Sequence, residues 1–211
     1  MTDETRNWGS FVLLLIDVQK DFWPEGIAQH FPHFSQNVAQ LLTSCRSEGL
    51  EIVHLRASFK PDMSDWMAMY KLRGHIPCVE GTPGVETLPF ACEEPGETVM
   101  IKHTFDGFQS TELLGYLRRK QKRFVLVAGL VTSVCVFLTS ASAAQHGFLT
   151  AVVEDCCADQ PDAHEHTLDH YDFIFDRTTV DLIPAHYPEW VEWLGELEEQ
   201  ETAKNRNKSA P

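Results

Sequence analysis

The sequence predicts one α/β domain, a three-layer α/β/α sandwich around a central, mostly parallel six-stranded sheet. Three observations carry this. Short apolar runs of strand length recur along the chain. Stretches with helical periodicity, two of them closed by glycine, separate these runs. The length, 211 residues, suits one domain better than two, and a chain of this size buries roughly 70% of its unfolded surface, enough for a core without metals or disulfides.

Six strands are expected, at residues 11–16, 52–55, 98–101, 124–128, 148–153 and, more weakly, 173–175. Most are apolar on both faces, as parallel strands covered by helices on either side must be. Helices are expected at 33–48, with Val38, Leu41 and Leu42 on one face and Gly49 closing it. Others are expected at 110–119, carrying Leu113, Leu114 and Leu117, at 133–146 closed by Gly147, and at 162–171 after Pro161. Alternation of the two element types implies right-handed βαβ crossovers. Residues 61–95 break the pattern, with five of the eleven prolines and no period. This reads as a long excursion over the sheet with a short helix around 64–70, and long loops in compact domains are often functional. The main domain is placed at 8–185. Residues 186–211 read as a C-terminal helix after Pro188, with Trp190, Val191, Trp193, Leu194 and Leu197, decaying into a frayed acidic and polar tail over 201–211.

Composition narrows the function. Lys plus Arg number 17 against 31 Asp plus Glu, a formal net charge of -14. That field repels phosphate backbones and anionic lipid, so no nucleic-acid or membrane partner is expected and a small-molecule substrate is. No apolar run approaches the roughly 18 residues of a membrane span. Residues 1–7 lack the basic start and apolar stretch of a secretory signal. The six cysteines, Cys45, Cys78, Cys92, Cys135, Cys156 and Cys157, form no framework and no CxxC pair. Free thiols in a reducing cytoplasm are the expectation.

In an open parallel sheet, ligands bind beyond the carboxyl ends of the strands. Asp17 ends the run 13–16, Lys102 ends 99–101, and Cys135 lies just past 126–128, where Gly129 to Ser133 turns the chain into a helix. Taken singly, a charged strand end is where the chain meets water, and a cysteine near a helix start is a packing residue. A carboxylate, an ammonium and a thiol delivered by three strands to one sheet edge point instead to a site. With Thr132 or Ser133 as N-cap, the sulfur would lie in the first helical turn, where the dipole favours a thiolate.

Three segments carry a resemblance: Leu15-Ile16-Asp17-Val18-Gln19-Lys20-Asp21-Phe22, Ile101-Lys102-His103-Thr104-Phe105-Asp106-Gly107-Phe108 and Gly129-Leu130-Val131-Thr132-Ser133-Val134-Cys135-Val136. In content, order and separation they resemble the signature blocks of the isochorismatase-like cysteine hydrolases, over about Phe11 to Asp181. The resemblance implies an Asp17–Lys102–Cys135 triad and a cis peptide between Leu130 and Val131. It also implies an oxyanion hole made by the Val131 and Cys135 amides, no cofactor, and a homodimer or homotetramer. In that chemistry Asp17 takes the thiol proton, Lys102 stabilises the anions, and the thiolate attacks a carbonyl. Protonated Asp17 then releases ammonia or an amine, and water hydrolyses the thioester. The nicotinamidase branch resembles an Asp-x-His metal site after the second strand. Here that place reads His54-Leu55-Arg56-Ala57-Ser58-Phe59, so no metal is expected. Isochorismatases proper split a vinyl ether, and some lack the cysteine; Cys135 favours a C–N bond in an amide, ureido or carbamoyl compound. Vinyl ether hydrolysis and a non-catalytic module that retains the fold stay open as alternatives. Arg56, as a clamp for a substrate carboxylate, and Phe22, Trp23 and Trp66, as pocket walls, complete the candidate substrate-binding set. His164, His166 and His170 read as a solvated helix face, and Cys156 and Cys157 as buried packing.

Overall fold

The computed structural model describes residues 6–109 and 112–208, with 205–208 described by backbone alone. Six parallel strands form one sheet: β1 (Phe11–Ile16), β2 (Glu51–Ala57), β3 (Thr98–Lys102), β4 (Phe124–Leu130), β5 (Leu149–Ala158) and β6 (Asp176–Thr178). They lie in the order β3-β2-β1-β4-β5-β6, and every pairing is parallel. The order reverses direction between β1 and β4, which opens a crevice beyond their carboxyl ends.

Burial follows from alternation along the strands. Val12, Leu14 and Ile16 of β1 join Val53, Leu55, Val125 and Val127 in one core cluster. Leu113 and Leu117 of α4 (Leu113–Arg119), Ala143 of α5 (Phe137–Gln145) and Leu168 of α6 (Pro161–His170) belong to the same cluster. Leu13 and Leu15 point the other way and are equally buried. α2 (Phe34–Glu48) buries Phe34, Val38, Leu41 and Leu42, packs on β2 and β5, and ends at Gly49 in the left-handed conformation (φ 71°). One glycine of the sheet is forced by space. At Gly129 (φ 127°) a Cβ would stand 2.0 Å from the Ile16 carbonyl oxygen, so only glycine lets β4 approach β1 there.

Several element boundaries differ from the sequence expectation, each for a visible reason. β5 runs on to Ala158 rather than stopping at the polar Glu154-Asp155, because both carboxylates find partners. Arg177 Nε donates to Glu154 (2.7 Å), and the Val180 amide donates to Asp155 (3.1 Å). β6 lies at Asp176–Thr178 rather than 173–175; Phe173 is exposed, and Arg177 can sit on an edge strand because Glu154 and Asp169 neutralise it. The helix expected from Ser133 opens as a π turn (Thr132–Val136) before α5 begins. The helix expected over 110–119 is α4; its first two residues, Ser110 and Thr111, lie outside the described residues. The excursion carries α3 (Ala68–Arg73), shifted a turn beyond the expected place, and the sequence reading missed α1 (Glu25–His30).

The chain divides into one compact unit ending at Val180 and a second beginning at Asp181. The second is α7 (Ile183–Lys208), which contains Pro188 and continues through most of the segment expected to fray. Glutamate, glutamine, alanine and lysine dominate residues 198–204, and these are good helix formers with no glycine or proline among them. Among the described residues, no helix is long and apolar enough to cross a membrane.

Candidate active site

Asp17 is the first residue past β1. Its amide still pairs with the sheet, donating to the Leu55 carbonyl (2.8 Å), but its φ of 50° turns the chain out of the strand. What takes the place of the departing backbone is the Gln19 side chain. Gln19 is fully buried. Its Nε2 donates to the carbonyls of Ala57 and Val85 (both 2.8 Å), and its Oε1 accepts from the Ala57 amide (2.9 Å). One amide side chain thus completes the end of β2 as a neighbouring strand would, and ties the excursion to it. Asp21 adds a second tie, accepting from the Cys78 amide (2.7 Å).

Lys102 is the last residue of β3 and is 1% exposed. Its Nζ stands 2.7 Å from Asp17 Oδ2, 2.9 Å from the Thr104 carbonyl oxygen and 3.5 Å from Cys135 Sγ. The first is an ion pair and the other two are hydrogen bonds. Cys135 lies in the π turn. Its neighbours are held from behind: Ser133 donates through its amide (2.8 Å) and hydroxyl (2.6 Å) to Asp159, and Thr132 Oγ1 meets His164 Nδ1 (2.8 Å). Neither Thr132 nor Ser133 therefore caps the turn with its own side chain, as the sequence suggested; Val131 stands at the N-cap position. His164 likewise leaves the solvated face on which the sequence placed it, while His166 and His170 stay exposed there. The Leu130–Val131 peptide is cis.

Burial dominates the electrostatics. It pushes the Asp17 carboxyl above its ordinary range, against the pull of Lys102. The Cys135 thiol is raised by burial and then by the Asp17 charge, which together outweigh Lys102. Desolvation works against the Lys102 ammonium, but Asp17 and Cys135 overcome it and hold the proton more firmly. Burial and the Asp17 charge thus favour the neutral thiol, against the thiolate that a helix dipole alone would favour. Both Asp17 carboxylate oxygens are buried without a hydrogen-bond partner among the described residues, and Lys102, in contact with both Asp17 and Cys135, links the carboxylate to the thiol.

Two of the three groups, Lys102 and Cys135, line a cavity of about 300 Å³, and Asp17 lies buried behind Lys102. Lys102, Cys135 and Val131 line it together with Phe22, Phe59, Met67, Tyr70, Ile76, Phe105 and Val134. Of the expected walls, Phe22 is there. Trp23 is not among the lining residues and stacks on Phe34 (centroids 4.5 Å apart). Trp66 is outside the lining too; its indole donates to the Lys60 carbonyl (2.7 Å) and its ring backs the cluster of Ala57, Phe59, Ile76 and Cys78. Arg56 needs the largest correction. Ala57 lines the cavity, so the preceding residue of the strand faces the other way, and the Arg56 guanidinium forks onto the Glu93 carboxylate. The sequence reading missed Gln19, Phe59, Tyr70 and Phe105. Gln19 and Phe105 lie inside two of the quoted blocks, which is the signal that could have found them. His54 Nε2 is 2.8 Å from Glu97, which Arg46 also holds. Among the described residues, no group of three or more His, Cys, Asp or Glu is placed to hold a metal.

A family model described as the isochorismatase domain matches residues 11–179. An uncharacterised isochorismatase family protein of Bacillus subtilis is 31% identical over 148 residues, covering 69% of this chain and 76% of its own length. Maleamate amidohydrolase of Pseudomonas putida is 30% identical over 164 residues, covering 74% of this chain and 76% of its own length. The crystal structure of an isochorismatase family protein from Desulfovibrio vulgaris superposes with a TM-score of 0.75 at 28% identity, over 83% of this chain and 97% of that one. The matched span runs from the first strand to just past the sixth and takes in the acid, the amine and the thiol with the sheet that carries them, and the chain belongs to the isochorismatase family of hydrolases.

Proposed function

We propose that this hydrolase cleaves the C–N bond of a small amide, ureido or carbamoyl compound, with Cys135 as nucleophile. The observation that carries the reading is the meeting of three groups beside one cavity: Lys102 and Cys135 line it, and the Lys102 ammonium stands 2.7 Å from the Asp17 carboxylate and 3.5 Å from the thiol. A raised carboxyl makes a stronger base, and a raised thiol ionises only when that base receives its proton. The Asp17 carboxylate takes the Sγ proton as sulfur attacks the carbonyl carbon. The carbonyl oxygen gains the charge, and the backbone amides of Val131 and Cys135 donate hydrogen bonds to it. Protonated Asp17 returns its proton to the nitrogen, the C–N bond breaks, and ammonia or an amine leaves. Water then loses a proton to Asp17 and attacks the thioester, and the departing sulfur takes that proton back. The Lys102 charge offsets the negative charge on sulfur and keeps Asp17 in place. Maleamate amidohydrolase, at 30% identity, supports amide rather than ether chemistry.

Ammonia release from a panel of small amides and ureas tests this. Cys135→Ala removes turnover of every compound that the wild type hydrolyses, with an unchanged circular dichroism spectrum. Turnover retained in that variant would exclude a covalent route.

A further inference from the structure

The lining of the cavity says more about the substrate than the reacting groups do. Phe22, Phe59, Tyr70, Ile76, Phe105 and Val134 present apolar or aromatic surface, and among the described residues Lys102 is the only charged side chain in the lining. Lys102 is already engaged, by an ion pair with Asp17 and by hydrogen bonds to the Thr104 carbonyl and the Cys135 sulfur. The Thr104 hydroxyl is committed to the Asp106 carbonyl (2.8 Å). Tyr70 alone offers a side-chain hydroxyl with no hydrogen bond among the described residues. Arg56, expected from the sequence as a clamp for a carboxylate, is held by Glu93 on the opposite face.

Among the described residues of the lining, an anionic substrate would therefore meet no free cation and no uncommitted side-chain donor but the Tyr70 hydroxyl. Its carboxylate would be desolvated against aromatic rings, close to the negative charge of Asp17. Before that it would cross the field of a chain of net charge -14. The volume, about 300 Å³, holds roughly ten water-sized groups at ~30 Å³ each. From this fit we infer that the substrate is an uncharged primary amide on a compact apolar or aromatic body, and that amides bearing a second, ionised carboxylate are excluded. The inference rests on the cysteine amidase reading above and narrows it.

The test compares hexanamide with succinamate, which has the same number of non-hydrogen atoms, and adds benzamide as an aromatic probe. Ammonia release is measured with wild type and Cys135→Ala, and binding of the same compounds is measured on Cys135→Ala by calorimetry. The expected result is cleavage and binding of hexanamide and benzamide, with kcat/KM for hexanamide above that for succinamate by roughly 100-fold or more, the scale on which unmatched polar groups are rejected. A ratio below that, or neutral amides that neither bind nor react, overturns the substrate class. Succinamate cleavage that disappears in Cys135→Ala would overturn the class while leaving the cysteine chemistry standing. Cleavage that persists in Cys135→Ala would instead remove the cysteine amidase reading itself.

Discussion

Gln19→Leu is the substitution with the most informative magnitude. The two side chains are close in volume, so the change removes hydrogen bonds without opening a cavity. It leaves the Ala57 amide, the Ala57 carbonyl and the Val85 carbonyl without their partner. Ala57 is 2% exposed, so water cannot replace what is lost at two of the three. An unsatisfied buried group costs about 1–3 kcal/mol. Two such groups, with the half-buried Val85 carbonyl at the low end, give a loss of about 3–7 kcal/mol. Urea unfolding reads this as a midpoint lower by roughly 1–2 M at an m-value near the top of the usual range. Activity falls as well, because Gln19 fixes the turn that carries Asp17. A loss below about 1 kcal/mol with full activity would refute the view that Gln19 stands in for a strand.

Other perturbations follow from the same geometry. Asp17→Asn keeps the left-handed turn, since asparagine tolerates positive φ, yet lowers kcat by about 10²–10⁴-fold because an amide cannot take the thiol proton; steady-state kinetics with circular dichroism as a fold control decide it. Gly84→Ala would place a Cβ 2.0 Å from the Asp21 carboxylate; the overpacking costs about 1–3 kcal/mol in a thermal melt, and loosening of the Asp21 tie to Cys78 appears as faster proteolysis within 61–95. Acid stability turns on Glu97. Burial alone would raise its carboxyl, but hydrogen bonds from Arg46, the Glu94 amide and His54 bring it down from 4.5 to about 2. The stabilisation is complete above the unfolded value of 4.5 and is lost as pH falls through about 2. Glu97→Gln therefore flattens stability between those limits by about 1–3 kcal/mol, and an unchanged acid slope would count against the network.

Much of this was legible in the sequence, and what was not has physical causes. β1 matched residue for residue because both its faces are buried and apolarity alone sets its ends. β5 and β6 did not, because their polar residues are satisfied by partners distant in sequence, Glu154 by Arg177 and Asp155 by the Val180 amide. Asp17, Lys102 and Cys135 were found by their places at strand ends. The walls were harder. Tyr70, Ile76 and Phe59 come from or border an excursion without a period, and which of its aromatics face inward depends on contacts such as the Trp66 indole to Lys60. Arg56 misled because strand position gives the end of the sheet but not which face is the occupied one. The thiolate expectation left out burial and the neighbouring carboxylate, which both push the Cys135 thiol up.

The central claim is that Cys135 sulfur becomes covalently bonded to the substrate carbonyl. Rapid acid quench during turnover of a cleaved amide, followed by intact-protein and peptide mass spectrometry, measures this directly. An acyl adduct on the peptide containing Cys135, formed and lost at rates consistent with kcat, is the predicted result. Turnover at full rate with no adduct on that peptide at any quench time, and no loss of turnover on alkylating Cys135, would contradict it.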